Sequence, residues 1–224
     1  MKILLVSPHP DDIAWSLGAT VRRLPNPHVL TVFSKTVYAP ASPSHGTDAA
    51  SAVREAEETA WAALVGATVR RRGLPDASLR GYDDDTEMGA TPDPDIVYAV
   101  TDLVRAEIAA VAPELVLAPL AVGGHVDHEA VRLAVAACGG EPEVLWYEDL
   151  PYAHGSAPRP TVHPVTVPVA GRWPAIETGV RCYPSQRPDT ILPVIRRHHA
   201  ANGGERLWAE SAAAATRFTH LVSG

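Results

Sequence analysis

The sequence predicts an α/β fold, in which one Rossmann-like, mostly parallel sheet is flanked by helices and residues 1–224 form a single domain. Three observations predict it. Short apolar runs such as Ile3–Ser7 and Leu115–Leu120 read as strands buried on both faces of a sheet. They alternate with stretches of helical period, the pattern of strand–helix–strand units. The length of 224 residues, with 46% hydrophobic and 20% charged side chains, suits one sizeable core and is short for two.

Each element follows in order. Lys2–Ser7 is the first strand, and Ile13, Leu17, Val21 and Leu24 recur at helical spacing until Pro25. His28–Ser34 is the second strand, and residues 37–47, rich in Pro and Ser, form a loop. The spacing of Val53, Ala56, Ala60 and Leu64 predicts a helix with those residues on its apolar face, closing near Gly66. Arg70-Arg71-Arg72 reads as a solvated strand edge, and the Gly-, Pro- and Asp-rich residues 73–94 as a long surface excursion. Val97, Val100, Val104, Ile108 and Val111 mark a third helix ending before Pro113. A buried strand at 115–120, a fourth helix from about His128 to Cys138 and a strand at Val144–Tyr147 follow. The last third predicts a strand at 162–169, a proline-broken helical region near 188–202 and a closing strand at Phe218–Val222.

Composition narrows the function. A net charge of −7 argues against a nucleic-acid partner, which would favour a clustered basic surface. Cys138 and Cys182 form neither a disulfide framework nor a structural zinc motif, as expected in a reducing compartment. No stretch has the length of a signal-peptide core or a membrane span, so a cytoplasmic location is expected. The expected partner is a small molecule or glycoconjugate, and whether the chain forms a homo-oligomer stays open.

Ligands in open parallel sheets sit beyond the carboxyl ends of the strands. Two polar clusters fall there: Ser7-Pro8-His9-Pro10-Asp11-Asp12 and Gly123-Gly124-His125-Val126-Asp127-His128. A catalytic zinc takes about three nitrogen or oxygen ligands and keeps a position open for water. His9 and Asp12 are spaced to aim at one point across a strand-to-helix turn, and His128 completes the set. Asp11 is then a free carboxylate to take the water's proton, and His125 an acid for the departing amine, with Asp127 orienting its ring and holding up its pKa. Iron(II), manganese or cobalt also suit two imidazoles and a carboxylate.

SPHPDD at Ser7–Asp12, followed by Ser16–Ala19, resembles the N-terminal signature of the LmbE-like, or PIG-L, N-deacetylase family. His125-Val126-Asp127-His128 resembles its second signature. The resemblance implies His9, Asp12 and His128 as zinc ligands, Asp11 as general base and His125 as general acid. Arg54-x-x-Glu57 resembles a family segment in which the arginine reaches the substrate, although an exposed helix ion pair reads equally well. Glu148–Tyr152 and Tyr183–Gln186 resemble later segments of the family. Ile13 stands where many relatives carry Glu, so the substrates of the thiol-pathway members are not carried over.

The function expected is zinc-dependent hydrolysis of an N-acyl, chiefly N-acetyl, amide on an amino-sugar substrate, releasing acetate and a free amine. One alternative is an amidase for a larger acyl or thiol-conjugate amide. Another is a magnesium-binding regulatory or nucleotide-binding domain, which Asp11 and Asp12 would serve. Surplus histidines and the lack of phosphate-binding glycine loops weigh against it. Asp76, His45 and His154 are open between loop structure and pocket contacts, and Trp173 is the candidate sugar platform.

Overall fold

The computed structural model describes residues 1–83, 86–140, 142–156 and 163–223. Strand β1 (Ile3–Ser7) pairs in parallel with β2 (His28–Lys35) on one side and β4 (Leu115–Pro119) on the other. Beyond them lie β3 (Thr68–Pro75) and β5 (Glu143–Tyr147), also parallel. β7 (Glu205–Ala209) then runs antiparallel to β5, and β6 (His163–Val167) antiparallel to β7. The order is β3-β2-β1-β4-β5-β7-β6. The chain therefore leaves β1 toward one edge and returns at β4 toward the other. The ends of β1 and β4 form the crevice where such sheets bind ligands.

Alternation along the strands divides the core into two layers. Leu4 and Val6 face Val100 and Val104 of α3 (Pro94–Val111) and Val131 of α4 (Val126–Cys138). Ile3 and Leu5 face the other cluster, which gathers Ile13 of α1 (Asp12–Ser16) and Trp61 of α2 (Ala49–Val65). Ile176 of α5 (Trp173–Val180), Ile195 of α6 (Pro188–Asn202) and Phe218 of α7 (Ala212–Val222) complete it.

Four features depart from the sequence reading. The helix after Pro10 ends at Ser16, because Ala19 and Thr20 give their N–H groups to the buried Glu205 carboxylate at 2.5 and 2.8 Å. A Cβ on Gly18 would also meet Ala14 O at 2.9 Å. The region 73–94 begins inside edge strand β3, whose Arg71 and Arg72 pair with Glu58 and Glu107. Charge on an edge strand discourages pairing with another chain. Phe218–Val222, expected as a strand, is helical: Ser211 caps α7 by accepting from Ala214 N at 3.0 Å, and Ala214, Phe218 and Val222 repeat every four residues as its buried stripe. The strand at that edge is β7 instead, and it alternates buried Glu205, Leu207 and Ala209 with half-buried Arg206 and Trp208. The strand expected at 162–169 is β6, residue 162 lying outside the described residues.

The fourth departure concerns α2. Val53, Ala56, Ala60 and Leu64 do not form its buried face; Ala50, Arg54, Glu57, Glu58, Trp61 and Ala62 do. Among the described residues, no helix is long and apolar enough to cross a membrane.

Candidate active site

The turn after β1 is held by its own side chains. Ser7 Oγ donates to His9 O at 2.6 Å, and His9 N–H donates to Asp12 Oδ2 at 2.6 Å. The second bond folds the Asp12 carboxylate back toward the His9 ring, whose Nδ1 lies 3.4 Å from Oδ2. From the other side of the crevice, α4 brings His128 Nε2 to 3.4 Å from Asp12 Oδ1. Ligand atoms of His9, Asp12 and His128 all lie within 4.8 Å of one another.

These residues fit a metal by a separate observation. Both ring nitrogens of His128 are buried and make no hydrogen bond. Buried polar atoms without partners are costly and rare, and a cation ligated at Nε2 would resolve this one. Asp149 Oδ1 stands 3.4 Å from His128 Nδ1 and is itself fixed by the N–H groups of Ala121 and Val122 at 2.7 and 2.8 Å. A carboxylate behind a ligating imidazole sets its orientation and tautomer.

Charge is densely coupled here. Burial disfavours the charged form of His9, yet Asp12 and Asp127 outweigh it and hold the ring well above its ordinary range. Burial also opposes the Asp12 carboxylate, but His128 and His9 bring it down to about 2. His128 is raised, because Asp12 and Asp149 overcome its burial.

Asp11 lines the same cavity but is paired outside this set. Its Oδ1 accepts from Arg54 Nη2 at 2.8 Å, both side chains being buried. Burial pushes its carboxyl up, and Arg54 only partly offsets that. Arg54 is thus no exposed helix pair with Glu57, which instead binds Ser185 N and Oγ, each at 2.7 Å.

His125 and Asp127 are arranged differently from the sequence reading. Asp127 does not hold the His125 ring through its carboxylate. That carboxylate accepts from His9 Nε2 and Ala77 N, each at 2.9 Å, and from Arg80. The physical reason is local: His125 is the N-cap of α4, and its Nδ1 accepts from the Asp127 N–H at 3.1 Å. An accepting Nδ1 leaves the single proton of the neutral ring on Nε2. Burial lowers the ring's pKa, only partly countered by Glu87, whose Oε2 lies 3.4 Å from Nε2, and by the charge of Asp127, which holds it up as expected. Glu87 is fixed there because its segment is bonded to the α4 turn by Val126 N to Glu87 O at 2.9 Å and Gly89 N to Gly124 O at 2.7 Å.

Arg80, Glu87 and Asp149 are site residues that sequence reasoning missed. Arg80 and Glu87 lie in a stretch without periodicity, and Asp149 stands in the family-like run Glu148–Tyr152, which marked the segment without marking the residue.

The crevice opens into a cavity of about 830 Å³. Asp76 lines it, while its Oδ1 also accepts from Ser78 Oγ at 2.5 Å. Tyr38 and Pro40 contribute a wall from the 37–47 loop, where Ala41 N bonds to Ser185 O at 2.9 Å. His45 fixes that loop, its Nδ1 accepting from Ala39 N at 3.2 Å. His154 and Trp173 are not among the cavity residues; Trp173 stacks under Arg196, 4.5 Å from its ring centre.

A doubly wound sheet that brings two imidazoles and two carboxylates to its switch point defines a candidate metal site of the hydrolase type. Comparison with known proteins makes this specific. The GlcNAc-PI de-N-acetylase (PIG-L) pattern matches residues 4–138, and the chain belongs to that family. It is 38% identical over 233 residues to the 2'-N-acetylparomamine deacetylase of Streptomyces fradiae, covering 96% of this chain and 83% of that one. Among solved structures it resembles a deacetylase of teicoplanin biosynthesis in complex with teicoplanin (TM-score 0.76, 25% identity, 93% of this chain and 98% of that one). It also resembles a zinc-inhibited form of teicoplanin deacetylase (TM-score 0.74, 25% identity, 93% and 97% covered). The chain is an N-deacetylase, a hydrolase of the amide bond on an amino-sugar substrate.

Proposed function

We propose that the chain removes an acetyl group from the nitrogen of an amino sugar in a small glycoconjugate, with zinc held by His9, Asp12 and His128. The observation that carries this is the convergence of these three on one point, with both buried His128 ring nitrogens left without a hydrogen bond. When bound, zinc supplies Lewis acidity toward the acyl carbonyl and lowers the pKa of water.

The chain's residues do the rest. Asp11, held by Arg54 beside this centre, takes the proton of the attacking water. His125 offers the proton on Nε2 to the cavity, where it meets the carbonyl oxygen as negative charge develops there. A second proton on this ring requires the Asp127 N–H to leave Nδ1, so the general-acid role expected for His125 passes to Asp11. Asp11 returns the proton it has taken to the departing nitrogen, the C–N bond breaks, and acetate and amine leave. Asp127 fixes the His9 ring from its far side.

The cavity also selects by charge. Asp11, Asp12, Asp76, Asp83, Glu87 and Asp127 line it, against Arg54 and Arg187. Such a wall favours substrates that carry further ammonium groups over anionic ones.

The test is metal content together with amine release from N-acetylated amino sugars, for wild type and Asp11→Ala. Equal zinc in both, with amine release reduced at least about 10²-fold in the variant, is expected. A well-folded protein that takes up no transition metal on reconstitution would sink the zinc assignment.

A further inference from the structure

Among the described residues, the carboxylates that line the cavity are nearly all engaged by the chain itself. Asp11 is paired with Arg54, Asp12 with His9 and His128, and Asp127 with His9, Ala77 N and Arg80. Asp76 accepts from Ser78 Oγ at 2.5 Å, and Asp83 from Thr86 N and Oγ1 at 2.9 and 2.7 Å. Glu87 is the exception. Its carboxylate meets only the His125 ring, whose Nε2 lies 3.4 Å from Oε2, longer than a good N–H···O bond.

The backbone fixes Glu87 from both sides. Glu87 N donates to Asp83 O at 3.0 Å, and Glu87 O accepts from Val126 N at 2.9 Å. Beyond it, Met88 forms an antiparallel bridge with His125, and Gly89 N donates to Gly124 O at 2.7 Å. A carboxylate held in this way need not be ordered by its ligand. The arginines of the described wall are tied elsewhere, Arg54 to Asp11 and Arg187 to Pro40 O at 3.2 Å.

The place of this charge decides what it does. Nε2–H of His125 is the donor for the acyl oxygen, and a carboxylate 3.4 Å from that nitrogen opposes negative charge developing on the oxygen. A substrate cation on Glu87 cancels the opposition and gains a charge-assisted hydrogen bond. We propose that Glu87 is a specificity-determining residue, its carboxylate binding a free ammonium group of the substrate beside the scissile amide. That ammonium is carried by the acetylated sugar or by the sugar joined to it. The substrate class narrows accordingly to N-acetylated sugars that keep a further amine close to the acetamide. The role rests on the deacetylase reading of this site.

Glu87→Gln keeps the shape of the side chain, removes its charge and leaves the backbone contacts in place. The substrates are N-acetylated disaccharides with one free amine, each matched to a counterpart with hydroxyl at that position, and acetate release is followed. In at least one pair, the variant is expected to lose about tenfold more of its kcat/KM on the amine-bearing member than on its hydroxyl counterpart. Equal losses in every pair would make Glu87 a support for His125 only and overturn the proposal, and so would no loss in any pair. A zinc-loaded wild type that releases acetate from neither member of any pair overturns the deacetylase reading, and this role with it.

Discussion

Helices α2 and α3 are of similar length, and they bury opposite kinds of surface. The inner side of α3 is Val100, Thr101, Val104, Glu107 and Val111, mostly aliphatic and packed on the sheet. The inner side of α2 carries Arg54, Glu57, Glu58 and Trp61 beside the small Ala50 and Ala62, while Ala56, Ala60 and Leu64 face outward. Hydrophobic burial dictates how α3 lies. A set of buried polar contacts dictates how α2 lies, and each ties it to another segment: Arg54 to Asp11, Glu57 to the Ser185 turn, Glu58 to Thr31 and Arg71. Desolvating such groups costs free energy that only full pairing offsets. The difference separates a helix that stabilises from one that positions.

The largest effect expected is at Arg54. Arg54→Ala leaves Asp11 buried without its cation, and breaking a buried pair costs roughly 3–5 kcal/mol if the charge persists. Burial already raises the Asp11 pKa, so the carboxyl takes a proton and much of that penalty is relieved. A protonated Asp11 is no base, and amine release should fall about 10²- to 10³-fold, measured with zinc content to show that the metal site survives. Activity within about threefold of wild type would make the charged face of α2 a structural feature only. Val104→Ala is the counterpart on α3: unfolding in denaturant should lose about 2 kcal/mol from this fully buried site, with kcat unchanged. A parallel fall in kcat would blur the comparison.

A third test uses pH. Burial raises Glu58 above its ordinary value of 4.5, against Thr31 and Arg71. A carboxyl whose pKa is higher in the folded state binds its proton more readily there, so this group's contribution to stability falls as pH rises from 4.5 through the raised value. Glu58→Gln should flatten that part of the stability–pH curve. An unchanged slope would mean that the pairing with Arg71 and Thr31 fully compensates the buried charge.

The same contrast explains what the sequence could and could not reveal. The strands at the centre and helices α3 and α4 were legible because their burial is aliphatic, and aliphatic burial leaves a period in the sequence. The two signatures were legible because the candidate site residues are local in sequence: His9 and Asp12 share one turn, and His125, Asp127 and His128 open one helix. On α2 the period pointed to the wrong face, since Val53, Ala56, Ala60 and Leu64 repeat every three or four residues with Val53 half-buried and the other three exposed. Arg80 and Glu87 left no pattern, and Asp149 only the family-like run around it. Each acts on a residue far away in the chain, 47, 38 and 21 positions off, and only the fold brings them together. β7 and α7 were misplaced for a related reason. A five-residue antiparallel strand gives two or three alternations, too few to compete with the apolar run that α7 presents.

The smallest expected effect lies on the outer side of α2. Leu64 is 40% exposed, and the periodicity that suggested burial meets only solvent in the isolated chain. Leu64→Gln should change unfolding free energy by less than about 0.5 kcal/mol, as is usual for surface positions without special contacts. It should leave amine release unchanged. A loss above about 1 kcal/mol that grows with protein concentration would show that the outer stripe is covered by a second copy in solution, since association stabilises by mass action. In that case the aliphatic period of α2 would describe a real buried surface after all, one formed between chains rather than within one.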